Sequence, residues 1–510
     1  MARRPAGARS RRNQHHNIEQ TPWRRFKNPF PPIEILTPDQ LDAIHDNSMR
    51  ILSEIGIKVI DGRSRSILAA AGCVVDEGQE LVCFDPELVV ETIAHAPAKS
   101  ELHARNSAYN LTLGGDEIIF SSVMCPPFAN DLDRGRRSGT FDEMCEFVKV
   151  VHSINAVHQA GGGGFEPLDL PPETRHLDVG YAHATLTDKT WKAWSNGAER
   201  SRDAIAMAKI MMGFSDADLI AKPVITAPIN TNSPLMIDTA MAEGIVEMAR
   251  LGQPLVIAPF TMAGAMSPAT EAGALSVQNA EALAGVFLAQ AVRKGAPVVY
   301  GSYLTNVDMR TGSPVFGTPV FAKTTWASGQ LARRYGLPFR SSLNTGSNSV
   351  DAQAAYETEM CLWAAVTAHA NILFGAAGWL EGGLSGSFEK LILDAEMLQL
   401  ITESFRPIEV NEDTLGFDAI REVGPGGHFF GSPHTLARYE KAFYHPILTD
   451  IRTFETWSEQ GRETAEIRAN RIWKRMLDEY ERPPMDEAVD EALRDYVGRR
   501  KAEIMARHAA

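Results

Sequence analysis

Only five of the 510 residues are cysteine, and no two of them form a CxxC pair. Cys73, Cys83, Cys125, Cys145 and Cys361 are odd in number and scattered. That pattern argues against a disulfide framework and a structural zinc site, and it fits a reducing cytoplasm. An excess of positive charge is missing too: 50 Lys and Arg stand against 64 Asp and Glu, a net charge of −14. Nucleic acid is therefore disfavoured as the main partner, because phosphate binding needs a basic surface. The same balance leaves room for a cationic ligand. No apolar run approaches the roughly 18 residues that a membrane span needs. The basic start, MARRPAGARSRRNQHHN, has no apolar stretch behind it and is expected to be a disordered tail rather than a secretory signal.

What is present is an ordinary globular balance, 44% hydrophobic and 22% charged. From Pro38 to about Ala98 the pattern is helical and amphipathic, with Thr37 as the expected N-cap and Gly56 as the expected stop. From about Glu117 short β-rich runs alternate with longer helical ones. Eight runs read as strands: EIIFSS, AVHQAGG, KTWKAWS, KPVITAP, PLVIAPF, PVVYGSY, PFRSSLN and NILFGAA. Several are nearly continuous apolar runs, as parallel strands buried on both faces require. Eight βα units in a row predict an α/β fold of the TIM (β/α)8 type, since no GxGxxG follows the first strand to favour a doubly wound sheet. The expected organisation is a disordered basic tail over 1–34, a helical N-terminal extension over 35–115, the barrel over 116–403 and a C-terminal helical appendage over 404–510.

In such a barrel the site lies at the C-terminal ends of the strands. That rule gathers Ser121, Ser122 and Cys125; the run Gly161, Gly162, Gly163 and Gly164 with Phe165 and Glu166; Trp191, Trp194 and Asn196; Pro228, Asn230 and Thr231; Phe260 and Thr261; Tyr303; Asn344, Thr345, Ser347 and Asn348; and Trp379 and Glu381. The set is aromatic, glycine-rich and neutral. It contains no His–Asp–Ser arrangement, no His and Asp cluster for a metal, and no strand-end lysine suited to a Schiff base; Lys189 and Lys192 lie on strand 3, with Lys189 at its wrong end. No catalytic side chain and no metal ligand are expected. Aromatics with one carboxylate form a receptacle for a quaternary ammonium, and Trp194, Tyr303, Trp379 and Glu381 are the candidates, each Trp being equally able to serve as packing. Gly162, Gly163 and Gly164 would admit close approach by a broad flat cofactor, with Phe260 beside it, or form a flexible loop. His176 and His183 fall on a helix and read as surface or capping residues. Trp326 and Trp363 read as core or interhelical, and Trp457 and Trp473 as packing within the appendage.

Longer motifs carry a resemblance. SPLMIDTAMAEG, GQPLVIAPFTMAGAMSPATEAGAL, GAPVVYGSYLTNVDMRTGSPVFGTP, QLARRYGLPFR, DAQAAYE and GGLSGSFEKLILDAEML occur in that order, with GPGGHFF…PHT and RYEKAFYHP near the C-terminus. Over about residues 35–500 the chain resembles the trimethylamine:corrinoid methyltransferase superfamily. Members with pyrrolysine carry it near strand 7. The matching stretch here, Asn344 to Glu357, has no pyrrolysine, and Ser347 to Ser349 is the nearest equivalent place. The resemblance therefore implies the non-pyrrolysine branch, similar to glycine betaine methyltransferases, with Asn344, Ser347 and Asn348 near the substrate. It further implies methyl transfer from a quaternary amine to Co(I) of a corrinoid. The corrinoid would reside on a separate protein, since the chain has no DxHxxG stretch. Glycine betaine is the leading substrate, with carnitine and proline betaine behind it, and a homo-oligomer is expected. Two other readings stand beside this one: a barrel lyase or hydrolase using Asp308 and Glu381 as an acid/base pair, and a betaine-binding protein without catalysis.

Overall fold

The computed structural model describes residues 18–509. Each of the eight runs read as a strand contributes one to a curled, mainly parallel sheet. These are β1 (Glu117–Phe120), β2 (Gln159–Ala160), β3 (Thr190–Lys192), β4 (Ile225–Ile229), β5 (Leu255–Ile257), β6 (Val298–Gly301), β7 (Phe339–Ser342) and β8 (Ile372–Phe374). Consecutive strands from β2 to β8 pair in parallel, and β8 pairs in parallel with β1. A parallel bridge between Ser121 and Gln159 joins β1 to β2. Phe26–Lys27 adds a ninth, antiparallel strand on β1. The helices that follow the strands are α1 (Phe141–Ser153), α2 (Arg175–Leu186), α3 (Ala198–Met212), α4 (Thr239–Arg250), α5 (Glu271–Val292), α6 (Pro319–Arg334), α7 (Ala352–Thr367) and α8 (Phe388–Ser404).

The inside of the curl is apolar at one level and polar at the next. Ile119, Val256, Val299, Ile372 and Phe374 cluster with Leu102, Leu111 and Leu113 of a short hairpin. Beside them Gln159 accepts from Ser121 (3.0 Å) and Thr226 (3.4 Å) and donates to Thr190 (3.5 Å), which ties β1 to β4 through side chains. Two of the runs change sheet partway. Phe260–Ala263 and Tyr303–Val307 leave β5 and β6 and pair with each other in a small separate sheet.

Four expectations need correction. Residues 18–34 are no free tail: Gln20 donates to the Ser153 carbonyl, Arg24 pairs with Glu403, and Asn28 bonds the Val366 carbonyl, while residues 1–17 lie outside the described residues. The N-terminal extension is mixed rather than helical. Its first helix has Thr37 as a capping-box N-cap and stops at Gly56, as read, but strands Ile57–Val59, Val74–Asp76 and Leu81–Cys83 follow. The C-terminal appendage, expected to be helical, is broken into pieces: Gly461 (φ 98°) separates Phe454–Glu459 from α9 (Ala465–Asp478). Trp363 is 43% exposed instead of core, although Trp326 does bridge helices, donating to Thr367. In the appendage Trp473 packs on Phe388 at 4.6 Å and donates to Glu389. The last helix, α10 (Glu487–Ala509), is held through Tyr496 and Arg500 to Asp203 on α3. Against the desolvation of burial, hydrogen bonds from His176, Arg500 and Tyr496 hold the Asp203 pKa down at about 2.

Glu281, fully buried on α5, accepts from the Leu235 amide (2.7 Å) and from Ser233 (2.6 Å) in the loop after β4. Burial outweighs these bonds and raises its pKa from 4.5 to about 7. A raised folded value means that the neutral acid stabilises the fold below about pH 4.5, and that this stabilisation drains away as pH rises through about 7. Wild type should thus lose about 2 kcal/mol relative to Glu281→Gln between about pH 5.5 and about pH 8.5. Denaturant unfolding of both proteins across that range tests this. Parallel curves would mean that Glu281 stays ionised in the fold.

Candidate functional site

The C-terminal ends of β1 to β4 border a cavity of about 230 Å³, lined by Met124, Cys125, Glu166, Trp194, Ser195, Asn196, Pro228, Asn230 and Met241. Trp194, two residues past the end of β3, is only 9% exposed, and its indole N–H donates to the Gly162 carbonyl (3.4 Å). Glu166 is partly exposed and paired with Arg175 at 2.9 Å. The Cys125 thiol donates to the Gly162 carbonyl, and burial pushes its pKa up to about 12, so it remains a thiol.

A second aromatic group gathers over the ends of β6 to β8. Tyr303 lies 4.9 Å from Phe260 and is stacked on Phe316 at 5.7 Å. The Asn344 amide donates to the Tyr303 hydroxyl at 2.5 Å. Trp379 is half-buried above Gly375, where an added Cβ would fall 1.6 Å from the indole nitrogen. Of the expected cage, then, Trp194 lines the cavity, while Tyr303 and Trp379 belong to the second group, in which Asn344 and Trp379 both approach Gly383.

Glu381 does not supply a free carboxylate. Arg136 holds it at 2.6 Å and Ser385 donates to its other oxygen. Asp308 caps its own turn, accepting from the Arg310 amide and the Thr311 hydroxyl. Each partner of the acid/base alternative is thus engaged by other groups. Ser347 braces α7 by donating to Asp351, and Asn348 is exposed. The glycine run is not an open cradle. All four residues are buried; a Cβ on Gly161 would fall 1.9 Å from the Val123 carbonyl, one on Gly162 3.0 Å from Met124, one on Gly163 3.2 Å from Met144, and one on Gly164 2.3 Å from the Phe147 ring. The clearance is used by the protein's own backbone and side chains. His176 and His183 are buried rather than surface groups. His176 bonds Asp203 at 2.9 Å, and His183 lies against Trp191, where burial pulls its pKa down to about 4 and keeps it neutral.

Two residues escaped the sequence reading as site candidates. Lys192 ends β3 and is 1% exposed; its ammonium donates to the Ser122 carbonyl (3.0 Å) and lies 4.2 Å from the Phe374 ring centre. Arg340 on β7 is 5% exposed and lies 5.0 Å from the same ring and 5.1 Å from that of Tyr303. The signal for them was a charge inside an otherwise buried strand run, KTWKAWS and PFRSSLN.

The family model described as Trimethylamine methyltransferase (MTTB) matches residues 2–505. The chain belongs to the trimethylamine methyltransferase family. It is 38% identical over 477 residues to a protein named glycine betaine methyltransferase from Desulfitobacterium hafniense (strain Y51), covering 93% of this chain and 98% of that one. A trimethylamine methyltransferase, MttB, from D. hafniense (strain DSM 10664 / DCB-2) is 28% identical, covering 90% and 92%. Among solved structures, the monomethylamine methyltransferase of Methanosarcina barkeri superposes with a TM-score of 0.50 at 10% identity, over 88% of this chain and 96% of that one, a likeness of fold.

The packing role of the glycine run has a direct test. Gly164→Ala should destabilise the protein by about 1–3 kcal/mol through collision with Phe147, and leave ligand affinity of the folded fraction unchanged. Calorimetric unfolding with a binding isotherm on the same preparation checks both. Wild-type stability with weakened binding would return the run to the ligand site.

Proposed function

We propose that the protein transfers a methyl group from a quaternary amine, glycine betaine foremost, to the Co(I) of a corrinoid carried by a separate protein. The observation that carries this reading is the cavity at the strand ends, which the largely buried Trp194 indole borders. An aromatic face attracts a cation that has no proton to donate. Membership in the methyltransferase family and the 38% identical relative named glycine betaine methyltransferase support the same reading. The parallel pairings, with the Ser121–Gln159 bridge, favour a (β/α)8 barrel whose strand ends hold the site.

A methyl group on a quaternary nitrogen leaves behind a neutral tertiary amine, so displacement at that carbon needs no proton transfer. The corrinoid supplies the nucleophile and accepts the methyl group. What the chain must do is hold the ammonium, exclude water around it and leave the methyl exposed along one line. Trp194, Ser195 and Met124 shape the cavity for that purpose, and Cys125 stays neutral beside them. A cytoplasmic location and assembly into a homo-oligomer complete the proposal.

Two experiments bear on it. With the protein, reduced cobalamin and a panel of glycine betaine, carnitine, proline betaine and trimethylamine, the Co(I) absorbance should decay with quaternary amines and persist with trimethylamine. Faster decay with trimethylamine than with every quaternary amine would overturn the reading. Trp194→Leu should weaken quaternary-amine binding by about 1–2 kcal/mol, the scale of a desolvated cation–π contact. Trp326→Ala should lower stability instead and leave affinity intact, and unchanged affinity in Trp194→Leu would remove that indole from the site.

A further inference from the structure

We propose that Lys192 and Arg340 together form an anion site inside the curled sheet, which takes the carboxylate of a zwitterionic substrate. The inference rests on the quaternary-amine reading above and adds to it the second end of the ligand.

The case begins with an imbalance. Burying a cation is costly unless a carboxylate or enough acceptors compensate it. Lys192 and Arg340 are both almost wholly buried, and each lies about 5 Å or less from the centre of one ring, that of Phe374. Among the described residues no Asp or Glu forms a salt bridge with either, and residues 1–17 contain no acid. Lys192 has one acceptor, the Ser122 carbonyl, for three N–H groups. Arg340 donates to the Ser302 carbonyl and the Ser342 hydroxyl, and its Nε–H has no partner. Two like charges with unused donors face one small region, and an anion is what that region lacks. Burial pulls the Lys192 pKa down to about 7, with Arg340 adding repulsion, as it must while the place stays uncompensated.

The position fits the rest of the site. Lys192 ends β3, Trp194 follows two residues beyond it, and both side chains border one small void. Arg340 reaches back to Tyr303, which Asn344 anchors. Through Phe374 the two cations thus link the surroundings of Trp194 to the Tyr303 cluster. A short zwitterion with its ammonium against Trp194 would direct its carboxylate toward them. The buried lysine just before this strand offers a contrast: Lys189 satisfies its ammonium with the carbonyls of Val151, Ile154 and Val157, a cap on α1 with no donor to spare.

The test compares three probes by calorimetry: glycine betaine (ammonium and carboxylate), choline (ammonium without carboxylate) and 3,3-dimethylbutanoate (carboxylate with a neutral carbon in place of nitrogen). Wild type should bind glycine betaine well above choline. Lys192→Met and Arg340→Met should each lose about 10- to 100-fold for glycine betaine and for 3,3-dimethylbutanoate, the scale of a charge-assisted bond, while choline affinity changes by less than about threefold. Unligated Lys192→Met should unfold at the same temperature as wild type or higher, because it removes an uncompensated charge. Equal losses for choline and glycine betaine, or a less stable Lys192→Met with unchanged glycine betaine affinity, would make these residues structural and end the proposal. Carboxylate binding that depends on Lys192, in a protein that methylates no Co(I) from any quaternary amine, would leave the anion site standing and overturn the proposed reaction.

Discussion

Gln159 ties the first strand of the sheet to the second, and the arrangement of the strand ends depends on that tie. Its backbone bridges Ser121, and its side chain bonds Ser121, Thr190 and Thr226 on three neighbouring strands. With β8 paired back to β1, the eight short strands send their C-terminal ends to one place. Residues as distant in sequence as Cys125, Glu166, Trp194 and Asn230 can then line one cavity. Strands of two to five residues cannot hold such an arrangement alone. The helices outside and the hairpin leucines inside, Leu102, Leu111 and Leu113, supply the remaining packing.

Sequence pattern made the strands legible because parallel strands buried on both faces must be apolar throughout, and runs such as PVVYGSY and NILFGAA have few other ways to be buried. It also placed Trp194, Glu166 and Asn230 at the strand ends, where they line one cavity. The misreadings share a physical cause: each depends on a partner remote in sequence. Glu381 looks like a free carboxylate until Arg136, 245 positions away, is seen to hold it. The glycine run looks like a ligand cradle until the Val123 backbone and the Phe147 ring are found already filling the clearance. His176 reads as a surface residue until Asp203 and the last helix close over it.

Lys192 and Arg340 were illegible for a different reason. A charged residue in a short strand is ordinarily read as facing solvent, since lysine and arginine are seldom fully buried without a partner. Here they are buried with no partnering acid among the described residues, beyond the polar layer of Gln159. Buried groups that a fold does not satisfy by itself are kept against a stability cost, and that cost is most easily reconciled with a role in binding.

The two proposals divide the labour of selectivity in a chemically consistent way. An aromatic wall attracts any quaternary ammonium and distinguishes poorly among them, because cation–π attraction depends little on what the fourth substituent carries. Buried donors left without an acceptor discriminate strongly, because a ligand that cannot supply the anion leaves them unpaired at full desolvation cost. In the proposed reaction the first device would gather methylated cations and the second would admit those bearing a carboxylate at the right distance. Such a site needs no acid or base of its own to be selective. It also explains in physical terms how one scaffold can serve related amines: changing the residues at the Lys192 and Arg340 positions would change the admitted anion while leaving the displacement at the methyl carbon untouched.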